Sequence, residues 1–196
     1  EILRAGLASG VRMVQLRDKV STGRLFYEKA LAARRLCDEA GALLIINDRV
    51  DIAFAVHADG VHLGTDDLPI SAARIMAPSM IIGASSHSVA EANAAEAAGA
   101  SYVNIGPIYA TATKPDAPRF LGPAAISEIS RDLAIPFTVM GGITLARIDE
   151  VVAAGADILA VITAVTKADD PAEASRELVD RIRSARGKRP SLSLNP

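Results

Sequence analysis

Three times in this chain an Ala-rich helical stretch ends in the same words: Ala40-Gly41-Ala42, Ala98-Gly99-Ala100 and Ala154-Gly155-Ala156. An apolar, β-branched run follows each one. A glycine just past a helix suits the left-handed conformation that stops it. Each triplet therefore reads as helix, cap, strand, and the repetition of that unit is the signature of a (β/α) fold. Apolar runs at 11–16, 43–46, 60–63, 81–85, 102–108, 137–140 and 158–162 supply seven expected strands. Amphipathic segments at 24–40, 89–98, 145–154 and 172–186 supply helices between and after them, with Ser88 and Thr144 at N-cap positions.

Two arrangements of parallel strands compete. A doubly wound open sheet gathers its polar groups at one switch point. A barrel spreads them over the C-terminal ends of all its strands. Here nearly every strand run ends in polar residues: Gln15 to Lys19, Asn47-Asp48-Arg49, His62 to Asp67, Ser85-Ser86-His87, Gly141-Gly142-Ile143 and Val161-Ile162-Thr163. The expected fold is a TIM (β/α)8 barrel. A closed barrel has eight strands and seven are visible. Residues 1–10 read as the tail of a first helix, which puts the missing first strand upstream of Glu1. The expected organisation is one domain over residues 1–187 and a tail at 188–196.

With 196 residues, half of them apolar, the chain has enough material for one sizeable core. Net charge is −2 and aromatic residues make up 4%, so no basic face is interleaved with stacking rings, which argues against nucleic-acid binding. A lone cysteine, Cys37, rules out an intrachain disulfide and fits a reducing, cytoplasmic setting. It shares a helical stripe with Phe26, Ala30 and Ala33, which makes it a small core residue. No apolar run is long enough to span a membrane.

The charges at the strand ends sort into chemistry. Arg17, Lys19 and Lys114 are cations that could converge on one anion. Asp48 and the Asp66-Asp67 pair offer hard oxygens beside them. Carboxylates among cations fit Mg²⁺ holding a di- or triphosphate, because Mg²⁺ takes one or two carboxylates with phosphate oxygens and water. The stretch from Gly106 to Asp116 carries Thr111-Ala112-Thr113-Lys114, hydroxyls and an ammonium on a loop of small residues, suited to phosphate oxygens. Gly141-Gly142 and the end of the last strand suggest a second anion site, the usual phosphate position of such barrels. Two sites imply two phosphorylated small molecules, or one with phosphate at both ends.

These motifs together resemble the thiamine-phosphate synthase family. The resemblance covers residues 10–171. It rests on Val14-Gln15-Leu16-Arg17-Asp18-Lys19, Ile46-Asn47-Asp48-Arg49, Gly60-Val61-His62-Leu63-Gly64, Gly106-Pro107-Ile108-Tyr109 with Thr111 to Asp116, Gly141-Gly142-Ile143 and Val161-Ile162-Thr163. It implies a Mg²⁺-dependent TIM-barrel enzyme that joins 4-amino-2-methyl-5-(hydroxymethyl)pyrimidine diphosphate to 4-methyl-5-(2-phosphoethyl)thiazole, giving thiamine phosphate and diphosphate. By the same resemblance Gln15, Arg17, Lys19, Asn47 and Lys114 bind the pyrimidine diphosphate, and Ser85 stands beside its ring. Asp48 and Asp67 hold Mg²⁺. Thr111, Thr113, Gly142, Ile162 and Thr163 cradle the thiazole phosphate. Ser85 and Lys114 are the expected catalytic residues. Thr65 stands where the family usually carries Gln, and Thr163 where it usually carries Ser.

Other readings stay open at the level of sequence. A thiazole tautomerase of the same fold would work without a metal, and Arg17, Lys19, Asn47, Asp48, Asp67 and Lys114 argue against it. A non-catalytic regulatory barrel would keep only the phosphate cradle. His57 reads as a helix-end residue and His62 as a packed, hydrogen-bonded histidine; His87 does not discriminate. No His/Cys cluster has zinc-ligand spacing. Arg183, Arg186, Lys188 and Arg189 read as a solvated helix end. A homo-oligomer is compatible with all of this.

Overall fold

The structure, a computed structural model, describes residues 1–111 and 120–188. Seven strands pair in parallel in chain order: β1 (Met13–Leu16), β2 (Leu43–Asn47), β3 (Gly60–Leu63), β4 (Ile81–Ser86), β5 (Tyr102–Ile105), β6 (Phe137–Met140) and β7 (Leu159–Ala160). The helices are α1 (Ile2–Ala8), α2 (Gly23–Ala40), α3 (Val50–Ala55), α4 (Ile70–Met76), α5 (Val89–Ala97), α6 (Ala124–Ser130), α7 (Ile148–Ala153), α8 (Thr163–Thr166) and α9 (Pro171–Gly187). The alternation expected from the sequence is present.

The sheet curls. Gln15 on β1 lies close enough to Tyr102 on β5, across the interior, to act on its hydroxyl. In a flat sheet strands about 4.8 Å apart would hold those two strands roughly 19 Å from each other. Outside, α1 packs against both α2 and α9, so the helix layer wraps with the sheet. The result is a TIM-like half-barrel with β1 and β7 at its two edges. The eighth strand expected upstream of Glu1 has no residue among those described.

Local chemistry explains the boundaries. Gly41, Gly99 and Gly155 adopt φ of +60°, +95° and +116° just past their helices, the left-handed stop expected of them. Ser88 caps α5 by accepting from Glu91 N–H at 3.2 Å. Thr144 does not cap through its side chain. Its carbonyl instead accepts from Arg147 N–H at 2.9 Å, so the expected helix at 145–154 opens as a 3-10 turn, Leu145–Arg147, before α7. β5 stops at Ile105 rather than 108 because Pro107 has no N–H to give the ladder. Pairing resumes beyond it, with Ile108 N–H on the Met140 carbonyl and Tyr109 N–H on Gly141. β7 is shorter than the run at 158–162 because, as an edge strand, it pairs only with β6.

Phe26, Ala30, Ala33 and Cys37 form the buried stripe of α2, and Cys37 is fully buried. One apolar cluster fills the half built on β2 and β3, with Leu44, Ile46, Val61 and Leu63. Another fills the half of β5 and β6, with Val103, Ile105, Ile126 and Val139. His57 lies just past α3 at φ +51°, the helix-end position expected of it. Among the described residues no helix is long and apolar enough to cross a membrane.

Candidate active site

Parallel strands that start together also end together, and their C-terminal ends open on one cavity of about 300 Å³. The first half of the sheet brings charged side chains to it. Gln15 is the last residue but one of β1, and Arg17 and Lys19 follow on an exposed turn. Asp18 builds that turn. Its carboxylate accepts from Lys29 Nζ at 2.6 Å, from Ser21 N–H and Oγ at 2.9 and 2.7 Å, and from Val20 N–H at 3.0 Å. Those bonds, the Lys29 bond first, hold the Asp18 carboxyl far below the usual range.

Asn47 ends β2, and Asp48 follows it at φ +61°. An aspartate tolerates that left-handed conformation better than most residues. Asp48 N–H is fixed to the His62 carbonyl at 2.8 Å. The carboxylate is ion-paired with the Lys19 ammonium and hydrogen-bonded to the Asp67 carboxyl. Asp67 is held in turn by Gly64 N–H at 2.7 Å. Burial raises the Asp48 carboxyl against the pull of Lys19, and the neighbouring Asp67 raises it further. Burial works the same way on Asp67, but the bond from Asp48, the Gly64 N–H and Lys19 outweigh it and leave Asp67 lowered. Two neighbouring carboxylates repel each other, and a divalent cation relieves that repulsion. Among the described residues no group of three or more His, Cys, Asp or Glu side chains could hold a metal alone. A cation here would complete its shell with water and substrate oxygens, as Mg²⁺ does.

Ser85, on β4, faces the same cavity and meets His62 Nε2 at 3.1 Å. The His62 Nδ1 meets the Tyr102 hydroxyl at 3.0 Å. Burial pushes the imidazole down to about 4, so it is neutral near pH 7. His62 is thus the packed, hydrogen-bonded histidine expected. His87 lines the cavity and is bonded to Glu91 at 2.8 Å.

The other half of the rim is made of backbone and small residues. Gly141 and Gly142 follow β6 at φ +99° and +63°. A Cβ on Gly142 would fall 2.5 Å from the Ala110 carbonyl oxygen, so only glycine lets the two loops meet. Arg147 donates to the Gly142 carbonyl at 2.6 Å, and its guanidinium lies 4.2 Å from the centre of the Tyr109 ring. Tyr109 donates to Glu150 at 2.6 Å. Thr111, Gly142, Ile162 and Thr163 all line the cavity.

Every expected site residue that is described therefore reaches this cavity: Gln15, Arg17, Lys19, Asn47, Asp48, Asp67, Ser85, Thr111, Gly142, Ile162 and Thr163. Thr113 and Lys114 lie outside the described residues. Sequence reading passed over Asn104, which lines the wall and accepts from Thr138 Oγ1 at 3.1 Å, and it passed over Tyr102. A signal existed, since both are polar groups inside an otherwise apolar strand run. Arg147 and Asp18 gave none, because their roles depend on loop geometry.

The family model for thiamine monophosphate synthase matches residues 1–165. A thiamine-phosphate synthase from Methanospirillum hungatei is 49% identical over 181 residues, 92% of this chain and 88% of that protein. A thiamine biosynthesis bifunctional protein from Symbiobacterium thermophilum is 46% identical over 96% of this chain, which spans only 39% of that longer protein. The solved structure of thiamine phosphate pyrophosphorylase from Pyrococcus furiosus matches with a TM-score of 0.88 at 38% identity, covering 94% of this chain and 89% of that one.

Proposed function

The chain belongs to the thiamine monophosphate synthase family, a family of transferases, and we propose that its cavity joins the pyrimidine diphosphate to the thiazole phosphate with Mg²⁺ bound. The observation that carries this reading is the Lys19–Asp48–Asp67 cluster facing the glycine-built rim across one cavity. A tautomerase acting on one phosphorylated thiazole has no use for that cluster.

Asp48 and Asp67 would hold the metal, which supplies positive charge for a departing diphosphate. Arg17, Lys19 and Asn47 bind the diphosphate oxygens, and Gln15 and Ser85 hold the pyrimidine ring. Thr111, Gly142, Ile162 and Thr163 seat the thiazole phosphate and aim the ring nitrogen at the pyrimidine methylene. Lys114 and Thr113 are assigned to the same two anions by resemblance. The methylene C–O bond breaks and its electrons leave with diphosphate. The pyrimidine amino group stabilises the cation left behind, and the thiazole nitrogen lone pair forms the new C–N bond. No protein nucleophile is needed; the side chains position the reactants and neutralise charge.

Incubation with both substrates and Mg²⁺ should yield thiamine phosphate and diphosphate, and a chelator should stop the reaction. No product with Mg²⁺ present overturns the reading.

A further inference from the structure

Behind Ser85 lies a relay whose two buried members, Tyr102 on β5 and His62 on β3, have no task in the reaction above. It runs from Tyr102 through His62 to Ser85 on β4. Its middle is made possible by a missing side chain. In the sheet register Gly83 pairs with His62 on one side and with Tyr102 on the other. A Cβ at Gly83 would lie 2.2 Å from the Tyr102 ring carbon Cζ and 2.4 Å from its hydroxyl. The phenol crosses β4 over that glycine and so reaches the imidazole of the next strand.

We propose that Tyr102 is a positioning residue which, through His62, makes Ser85 a hydrogen-bond donor into the cavity. This deepens the assignment of Ser85 to the pyrimidine site and rests on it. The inference follows from counting protons. A phenol has one proton, Tyr102 is buried, and among the described residues the acceptor within hydrogen-bond distance of its hydroxyl is His62 Nδ1 at 3.0 Å, so that proton goes there. A neutral imidazole that accepts at Nδ1 carries its proton on Nε2. That N–H donates to Ser85 Oγ at 3.1 Å. The Ser85 proton is then directed away from His62, toward the cavity that Ser85 lines.

The polarity matters for recognition. A pyrimidine ring nitrogen is an acceptor and its exocyclic amino group a donor. Ser85 held as a donor matches the ring nitrogen. Held as an acceptor it would match the amino group, and the substrate edge presented to it would change.

The first test needs no variant and no turnover. In ¹⁵N-histidine-labelled protein at pH 7, His62 should show a protonated Nε2 and an unprotonated Nδ1. A protonated Nδ1 overturns the proposal. Tyr102→Phe should then turn His62 into a mixture of tautomers, and an unchanged pattern also overturns it. The second test is kinetic. Tyr102→Phe should weaken use of the pyrimidine diphosphate about tenfold, the usual worth of one buried hydrogen bond. KM for the thiazole phosphate should stay within twofold, by the roughly 0.4 kcal/mol this represents. In a Ser85→Ala background the Tyr102→Phe effect should vanish. Additive losses, or equal losses for both substrates, would mean that Tyr102 only supports packing. Absence of any synthase activity in the unaltered protein would remove the functional reading instead, while the tautomer measurement would still decide the relay.

Discussion

The rim of β1 to β4 and the rim of β5 to β7 meet at one cavity but are built from different materials. Among the described residues every Lys, Arg, Asp and Glu that lines the cavity comes from the first: Arg17, Lys19, Asp48, Asp66 and Asp67. The second lines it with glycines, hydroxyls, one amide and apolar side chains. A charged rim works through ionisation and metal affinity. A glycine rim works through backbone shape, because what matters there is how closely the Ala110 and Gly142 loops approach. The two should therefore fail in different ways.

The sharpest separation comes from the metal pair. Asp48→Asn and Asp67→Asn should each lower kcat by about 10²-fold or more, the scale for removing one charge-stabilising group. Affinity for the thiazole phosphate should survive, as measured by calorimetry with that substrate alone. Chelation of the unaltered protein should mimic the loss, and should add little to either variant. If either variant lost both substrates equally, the division of labour across the cavity would break.

The charged half also carries the pH dependence. His62 is pushed down to about 4 by burial, whereas an exposed histidine titrates near 6.5. Between those values the unfolded chain takes a proton that the native imidazole refuses. Stability is therefore intact above about pH 6.5 and falls as pH drops toward 4, by on the order of 3 kcal/mol. An NMR titration of the His62 ring checks this directly, and a midpoint near 6.5 would contradict it. The glycine rim has no histidine, since the three in the chain are His57, His62 and His87.

Gly142→Ala is the matching blow to the second rim, and the molecule supplies its own control. Gly41 has nearly the same backbone, φ +60° against +63°, but a Cβ there meets nothing within 4 Å. Gly41→Ala should cost only the left-handed penalty, about 1–2 kcal/mol. Gly142→Ala adds a backbone clash that no rotamer relieves, so it should lower the melting temperature further and raise KM for the thiazole phosphate. Equal melting temperatures would mean that the loops do not depend on close approach.

The same contrast decides what could be read from the sequence. Side-chain chemistry is written in residue type, so Arg17, Lys19, Asp48 and Asp67 stood out at strand ends. Helix stops were legible because Gly41, Gly99 and Gly155 do local work. Ser85 was legible only by resemblance, since a serine at a strand end has many uses. His62 behind it was legible as a packed, hydrogen-bonded histidine, but its partners were not, because the Tyr102 bond to His62 depends on register and on an absent side chain at Gly83. Thr144 misled, because a good capping residue does not dictate whether its side chain or its carbonyl closes the turn.

The smallest expected effect tests whether the glycine rim is truly free of charged helpers. Arg147 does not line the cavity, yet it holds the Gly142 carbonyl and covers the Tyr109 ring, tying the loop after β6 to the loop after β5. Tyr109 is tied again through Glu150. Arg147→Ala removes one hydrogen bond from a cation and one partly exposed cation–π contact, together worth about 1–2 kcal/mol. The second tie limits how far the loops can move apart. KM for the thiazole phosphate should rise several-fold, while kcat and the requirement for Mg²⁺ stay as they were. Arg147→Lys keeps the charge but loses the planar fork that makes both contacts at once, so it should rescue little. Full rescue by lysine would show that the positive charge itself acts on the bound phosphate, and the rim of β5 to β7 would then be charged after all.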